Sequence, residues 1–443
     1  MKLPIYNFRF AISAALGLAI TLYSAEAQPT NGPYSIDLPT ALRLAGARNL
    51  DVQIARERMK EAWANHEQAR LQFFPWVSPG IGYKRHDGNI QDVGGNIFDV
   101  SKQSYAVGAS LNVQIELGDA IYQSLVTRQL ARSAEESLEA RRQESVFGAA
   151  TGYFELTRTK AVVGVAREAL RISQDYVAQV QQAVDAGIAF KGDVFRARVQ
   201  ADKNDIALRQ AVEQQRIAGA RLAQILRLEP ATELAPEEAE LAPLTLEEMS
   251  LALDSLMTRA LAARPELRQF DAQALAAKKA SDGAHYGPMI PTVGAQAFLG
   301  GLGGGRNGDL GNFDDTQDYL LGLSWRVGPG GLFDRSRIRA ADARAQTGAL
   351  ELEKVRDEVT RQVVEAHVHV HSVAEQLDMS RRALAAAEEL YKLTRERKQF
   401  GVGAVLEDIQ AEQELTRARQ DYLNAVAEFN KGQYALSRAV GKL

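Results

Sequence analysis

The chain has 443 residues, a formal net charge of −4 and no cysteine. The missing thiols exclude disulfides, a cysteine nucleophile and a thiolate metal site, and so mild a charge gives no reason to expect nucleic acid as a partner. Length alone would suggest two or three ordinary domains, but no proline lies between Pro79 and Pro230 and none follows Pro329. Helix interiors exclude proline, which lacks the N–H and clashes with the preceding turn, so two very long helices are expected.

Lys2 and Arg9 precede an apolar run from Phe10 to Leu22, and Ala25 and Ala27 follow in an A-x-A pattern. This predicts a secretory signal peptide over residues 1–27 and an exported chain. The apolar run is shorter than the ~20 residues a membrane-spanning helix needs.

The rest of the chain reads as two copies of one unit. "ARNLDV" near Ala47 resembles "ARPELR" near Ala263, "FPWV" at Phe74 resembles "IPTV" at Ile290, and "ATGYFEL" at Ala150 sits opposite "VEAHVHV" at Val364. Gly187 matches Gly401, Asp193 matches Glu407, Ala197 matches Ala411, and "RLAQILRL" near Arg221 matches "YALSRAVG" near Tyr434. The expected organisation is a first repeat at 28–227, a Pro- and Glu-rich linker at 228–250 and a second repeat at 251–443. The shift between copies is constant, which makes them full-length halves and not a short solenoid repeat.

Each half reads as helix, strand, strand, very long helix, helix. The first helix is expected to run from Leu38 to Leu71, and its counterpart from Leu251 to His285. Strands follow at about 75–115 and 291–327, each pair split by a polar or glycine-rich loop, "HDGNIQDVGGNIFDVSKQ" and "GGLGGGRNGDLGNFDDTQ". Val107, Ala109, Leu111, Val113 and Ile115 alternate with Gly108, Ser110, Asn112 and Gln114, and Leu321, Leu323 and Trp325 alternate with Gly322, Ser324 and Arg326. Such period-two patterning suits strands with one apolar and one polar face, and segments of about ten residues match the reach of a tilted transmembrane strand. Tyr83, Phe98, Tyr105, Phe298, Phe313, Tyr319, Trp325 and Phe333 cluster there, as an interfacial girdle requires.

The long helices are expected at about 118–184 and 334–399. At about 1.5 Å per residue each would reach roughly 100 Å, too long for a globular core and suited to a tube or stalk. Leu170, Ser173, Val177, Val180 and Val184 form a heptad stripe, with a wetter counterpart at Leu384, Ala387, Tyr391, Thr394 and Lys398. Four strands cannot close a barrel, and open sheet edges are excluded from lipid. Either the strands lie outside a membrane or several chains share one barrel, and three chains would supply twelve strands.

In the order of its parts, twice over, the sequence resembles the TolC-like outer-membrane efflux proteins. The duplication, the proline-started strands and the repeated G-x5-[DE] turn followed by alanine and a long helix carry the resemblance, which covers the mature chain. It implies a mainly α fold with a transmembrane β-barrel: a homotrimer sharing a twelve-stranded barrel in outer-membrane lipid and a long α-helical coiled-coil barrel across the periplasm. It implies a passive channel, docked through a periplasmic adaptor (membrane fusion protein) to an inner-membrane transporter, in efflux or type I secretion.

The resemblance also answers why glycine and an acid follow each long helix. Gly187 and Ile188, with Gly401 and Val402, would be adaptor-contacting periplasmic tips. Glu407, Asp408 and Asp193 would face the aperture; Asp193 equally suits a plain role at a helix N-terminus, where the dipole favours carboxylates. Glu407 matches the first of two aspartates ringing the family's closed aperture, whereas the second position is Gln410. The tyrosine and arginine with which family members lock that aperture correspond to Lys398 and Gly403, so the lock here must differ.

Other motifs carry less. In "HVHVH", His367 and His371 share a helix face, but two imidazoles fall short of the usual three or four metal ligands. Gly303, Gly305 and Gly308 spell G-x-G-x-x-G but lead into a strand, where a dinucleotide site needs a helix, and so read as a loop. No catalytic motif is found, and neither enzyme activity nor a cofactor is expected. A periplasmic adaptor or a pore-less coiled-coil protein are the alternatives; the first lacks the duplicated unit, and the second leaves the amphipathic strand pairs unexplained.

Overall fold

The computed structural model describes residues 34–229, 232–238, 240–399 and 405–443. The predicted signal peptide therefore lies outside the described residues, as do Gly401, Val402 and Gly403. Strand β1 (Tyr34–Ile36) leads into α1 (Leu38–Arg48), α2 (Leu50–Leu71), strands β2 (Trp76–Gln91) and β3 (Ile97–Glu116), then α3 (Leu117–Asp185) and α4 (Lys191–Leu226). After β4 (Leu234–Pro236) the unit recurs as α5 (Leu253–Ala263), α6 (Pro265–Tyr286), β5 (Thr292–Arg306), β6 (Asp314–Ser324), α7 (Arg335–Gln399) and α8 (Val405–Ala439).

The first helix of each half is two helices, not one. Asn49 leaves helical geometry at φ −57°, ψ 139°. Its side chain accepts a hydrogen bond from Asp51 N at 2.8 Å and donates to the Ile225 carbonyl at 3.2 Å, which joins the start of α2 to the end of α4. In the second half Pro265 opens α6, and the preceding Arg264 is extended, as the proline ring requires of its neighbour. The Arg264 guanidinium is buried, bonded to the Arg438 carbonyl at 3.0 Å and to Gln362 Oε1 at 2.7 Å.

The sheet is antiparallel in the order β2-β3-β5-β6. Its register gathers one apolar face. Val77, Ile81 and Tyr83 lie opposite Leu111, Val107 and Tyr105; these in turn meet Ala297, Gly301 and Gly303, and Leu321 and Leu323 lie opposite Ala295 and Val293. The other face carries Ser110, Asn112 and Gln114 beside Phe298, Gln296 and Gly294. Phe298 is thus a correction to the expected girdle: it sits on the polar face, its ring over Gly108.

Both expected loops are mostly strand. β2 and β3 stay paired out to Gln91 and Ile97, and the turn is only Asp92–Asn96, closed by Asn96 N donating to Asp92 Oδ1 at 2.8 Å. The glycine-rich stretch likewise lies largely in β5, with Gly303 and Gly305 inside the strand. The reason is space. Tyr105 and Phe313 stack with ring centroids 5.6 Å apart, and a Cβ on Gly303 or Gly301 would stand 2.6 Å or 2.1 Å from one of those rings.

At the foot of the sheet β3 passes directly into α3. Gly118 meets Gly287 so closely that a Cβ would fall 2.0 Å from the Gly287 oxygen. The Arg337–Asp119 ion pair at 2.9 Å ties α7 to the same joint. Below it α3 spans 69 residues and α7 spans 65, roughly 100 Å each. α2 and then α4 pack along α3, α6 and then α8 along α7, and α8 also packs on α3. None of the described helices is long and apolar enough to cross a membrane.

The buried core lies midway along the helices. Ala149, Tyr153, Phe154, Leu156, Leu222, Leu226 and Val426 form one cluster, and Leu256, Val359, Val363, Val370 and Leu436 form its counterpart. The linker between the repeats is held there by two buried amides of α8. Asn430 accepts from Leu244 N at 2.8 Å and donates to the Ala242 carbonyl at 2.9 Å, while Gln433 accepts from Leu246 N at 2.5 Å. Asn430→Leu would strand an N–H and a carbonyl against apolar walls, a loss of about 2–4 kcal/mol. Thermal unfolding in detergent would read this as a clear drop in melting temperature, whereas an unchanged midpoint would show that the linker does not depend on the clamp.

Candidate functional site

The end of the α3–α4 hairpin is built by glycine. Gly187 has φ +73°, and Ile188 N reaches back to the Ala183 carbonyl at 2.8 Å while Gly187 N bonds the Val184 carbonyl at 2.9 Å. This pattern closes a helix with a left-handed residue just past its end, which glycine adopts without a Cβ penalty. Ile188 is left 84 % exposed at the apex.

Asp193 stands in the first turn of α4. Its amide bonds the Phe190 carbonyl at 2.9 Å, and its carboxylate pairs with Arg196 one turn on at 3.2 Å. Glu407 and Asp408 occupy the first turn of α8. Glu407 is about half exposed and lies 3.6 Å from Arg397 of α7. Gln410, where the family resemblance would place a second acid, is exposed. Lys398 lies in the last turn of α7.

Asp408 points between the two hairpins. It lines a cavity of about 380 Å³ together with Arg171 and Tyr176 of α3, Gln200 of α4, Tyr391 and Arg395 of α7, and Glu412 one turn along its own helix. The Tyr176 hydroxyl hydrogen-bonds Asp408 and lies 3.4 Å from the Val405 carbonyl. Burial, and then the negative charges of Asp408 and Asp193, hold the Tyr176 phenol well above its ordinary pKa. Tyr176 thus bonds Asp408, whereas Asp193 pairs with Arg196 and Glu407 with Arg397. The cations beside the cavity have partners: Arg171 bonds Glu168 at 2.6 Å and Asp175 at 2.9 Å, and Arg395 lies over the Tyr391 ring at 5.6 Å.

Beneath the cavity runs a buried polar network. Asn204 donates to the Ala169 carbonyl of α3 at 3.1 Å and to Glu412 Oε1 at 3.2 Å, and accepts from Gln200 Nε2 at 3.1 Å. Gln413 Nε2 donates to Gln200 Oε1 at 2.6 Å. Burial pushes the Glu412 carboxyl up to about 6, and hydrogen bonds from Asn204 and Thr416 oppose the rise. None of Tyr176, Gln200, Asn204, Glu412 or Gln413 was singled out from the sequence. The available signal was polar side chains at core spacing: Ala197, Gln200 and Asn204 on α4, and Ile409, Glu412 and Leu415 on α8, all buried.

His367 and His371 do share a face, with ring centroids 4.5 Å apart at 60°. Burial and the second ring keep His367 below its ordinary pKa. Among the described residues no group of three histidines or acids is placed to hold a metal ion.

Comparison with known proteins agrees with this architecture. The family described as outer membrane efflux protein matches residues 41–226 and 256–442, one match in each repeat. Protein CyaE of Bordetella pertussis is 26 % identical over 406 residues, covering 87 % of this chain and 80 % of that protein. The solvent efflux pump outer membrane protein SrpC of Pseudomonas putida is 22 % identical over 423 residues, covering 91 % and 85 %. A membrane protein of Pseudomonas aeruginosa superposes with a TM-score of 0.78 at 18 % identity, over 91 % of this chain and 90 % of that one. With both halves matched in order, and the same fold in the solved structure, the chain belongs to the outer membrane efflux protein family.

Proposed function

We infer that this chain is the outer-membrane duct of a tripartite export system, three copies forming one channel that conducts passively from an inner-membrane transporter and its periplasmic adaptor to the exterior. One observation carries the reading. The apolar face of a four-stranded sheet stands on helices of roughly 100 Å, and among the described residues β2 and β6 each keep one edge unpaired. Each unpaired backbone group in lipid costs several kcal/mol, so β6 of one copy pairs with β2 of the next until the ring closes. Three copies give twelve strands and place the helical hairpins around a threefold axis.

The far ends of those hairpins are then the periplasmic mouth. Exposed Ile188 on its Gly187 turn forms an adaptor-facing tip, and Gly401 and Val402, which match that turn in the sequence of the second repeat, are assigned the same role. Glu407, Asp408 and Asp193 give the mouth its negative charge, and three copies of Glu407 near one axis form a cation-attracting constriction like the charged rings of channels.

Single-channel recording of the purified protein in a planar bilayer tests this. The expected result is a small cation-selective conductance, blocked by divalent cations and relieved of that block by Glu407→Ala. Absence of conductance, with the protein recovered from the soluble periplasmic fraction, would sink the channel reading. A conductance indifferent to Glu407→Ala would move the constriction to Asp408 or Asp193. The Arg397–Glu407 pair is exposed on both sides, so Arg397→Ala should alter thermal stability by less than about 1 kcal/mol. A larger loss in a melting experiment would mean that the pair is desolvated in the assembled mouth.

A further inference from the structure

We propose that His367 and His371 form a two-point chelate for a divalent transition-metal ion, Cu²⁺ before others, on the surface of α7. Water or another exchangeable ligand fills the remaining coordination positions. This is an open surface site, unlike the closed four-ligand kind that holds a fold together.

Residues four apart on a helix stand one above the other. His367 is half-buried and His371 exposed, and their ring centroids lie 4.5 Å apart at 60°. Imidazole nitrogens bind such ions at about 2.0–2.1 Å, so two rings set roughly at right angles around one ion have centroids about 4.5–5 Å apart. The pair is already spaced for that arrangement. Its backbone is also fixed, because Val363 and Val370 of the neighbouring turns are buried in the core. A chelate held in place before the ion arrives loses little freedom on binding.

The surroundings suit a cation. Between Arg361 and Arg381, α7 carries Glu365, Glu375 and Asp378 and no lysine or arginine. Arg361 is itself paired with Glu358 and Glu365, and Lys431 of α8 is held by Glu155 and Glu428. The ligand form of imidazole is the neutral one, and burial with the second ring keeps His367 below its ordinary pKa. Imidazole favours Cu, Ni and Zn, with Cu²⁺ bound most tightly in the divalent series, whereas Mg²⁺ and Ca²⁺ prefer oxygen. The remaining histidines are placed differently. His369 turns toward α8, where its ring stands 3.6 Å from the place a Cβ on Gly432 would take. His66 lies 3.2 Å from the Thr127 hydroxyl, His285 lies 2.9 Å from Asp342, and His86 is in β2.

The test is titration of the purified protein in detergent, free of any affinity tag and stripped of metal, with Cu²⁺ as the probe. Calorimetry reads affinity and stoichiometry, and electron paramagnetic resonance reads the ligands. The expected result is one saturable site per chain with micromolar affinity and hyperfine coupling to two imidazole nitrogens. Ni²⁺ and Zn²⁺ should compete at higher concentration, and Mg²⁺ should not. His367→Ala and His371→Ala should each weaken binding by about tenfold or more and remove one nitrogen from the spectrum, while His369→Ala leaves both readings unchanged. His371→Gln, which keeps a polar side chain at the exposed position, makes the same test should an alanine variant fail to fold. Equal binding by the His367→Ala/His371→Ala double variant, an equal loss in His369→Ala, or no saturable binding by wild type would overturn the site. No conductance is measured, so these outcomes leave the channel reading untouched.

Discussion

The constraint on which the structure depends is that backbone N–H and carbonyl groups cannot be left unpaired in lipid. A sheet of four strands has two free edges, and among the described residues no strand pairs with the outer edge of β2 or β6. Symmetric repetition is the remaining solution, and it determines the rest. In the proposed trimer it sets a threefold axis and arranges the hairpins around that axis. The function is thus a consequence of edge pairing as much as of any individual side chain.

Close approach of elements is bought with glycine. β3 and β5 come together over Gly108 and Gly300, and the Tyr105 and Phe313 rings lie flat where Gly301 and Gly303 leave room. The same device recurs at the joint, where Gly118 lets α3 begin against Gly287. A β-carbon at any of these sites would collide with backbone or with a stacked ring. The composition of the "GGLGGG" stretch therefore reflects packing, not looseness.

This explains what the sequence disclosed and what it concealed. The duplication, the long helices and the two-faced strands were legible because periodicity and proline placement act over tens of residues. The breaks at Asn49 and Pro265 were not, since capping and a pre-proline turn interrupt a helix without disturbing its apolar stripe. The glycine-rich segment was mistaken for a loop because composition does not reveal which ring lies opposite. At the hairpin ends, Gly187 and the acids stand out by their spacing. Asn204 and Glu412 did not, because a polar residue at a core position has meaning only once its partner, over 200 residues away, is known to face it.

Magnitudes separate the contacts at the hairpin ends. The Arg397–Glu407 pair joins the two helices of one hairpin, is open to water on both sides and is separated by 3.6 Å; such pairs contribute about 0–1 kcal/mol and weaken with salt. The Asn204–Glu412–Gln200–Gln413 circuit joins different hairpins, and its Asn204, Glu412 and Gln200 are buried. Loss of one partner there leaves a buried group unsatisfied at roughly 1–3 kcal/mol, more where charge is involved. The exposed pair therefore contributes little stability, whereas the buried network, which bridges α4 and α8, contributes more.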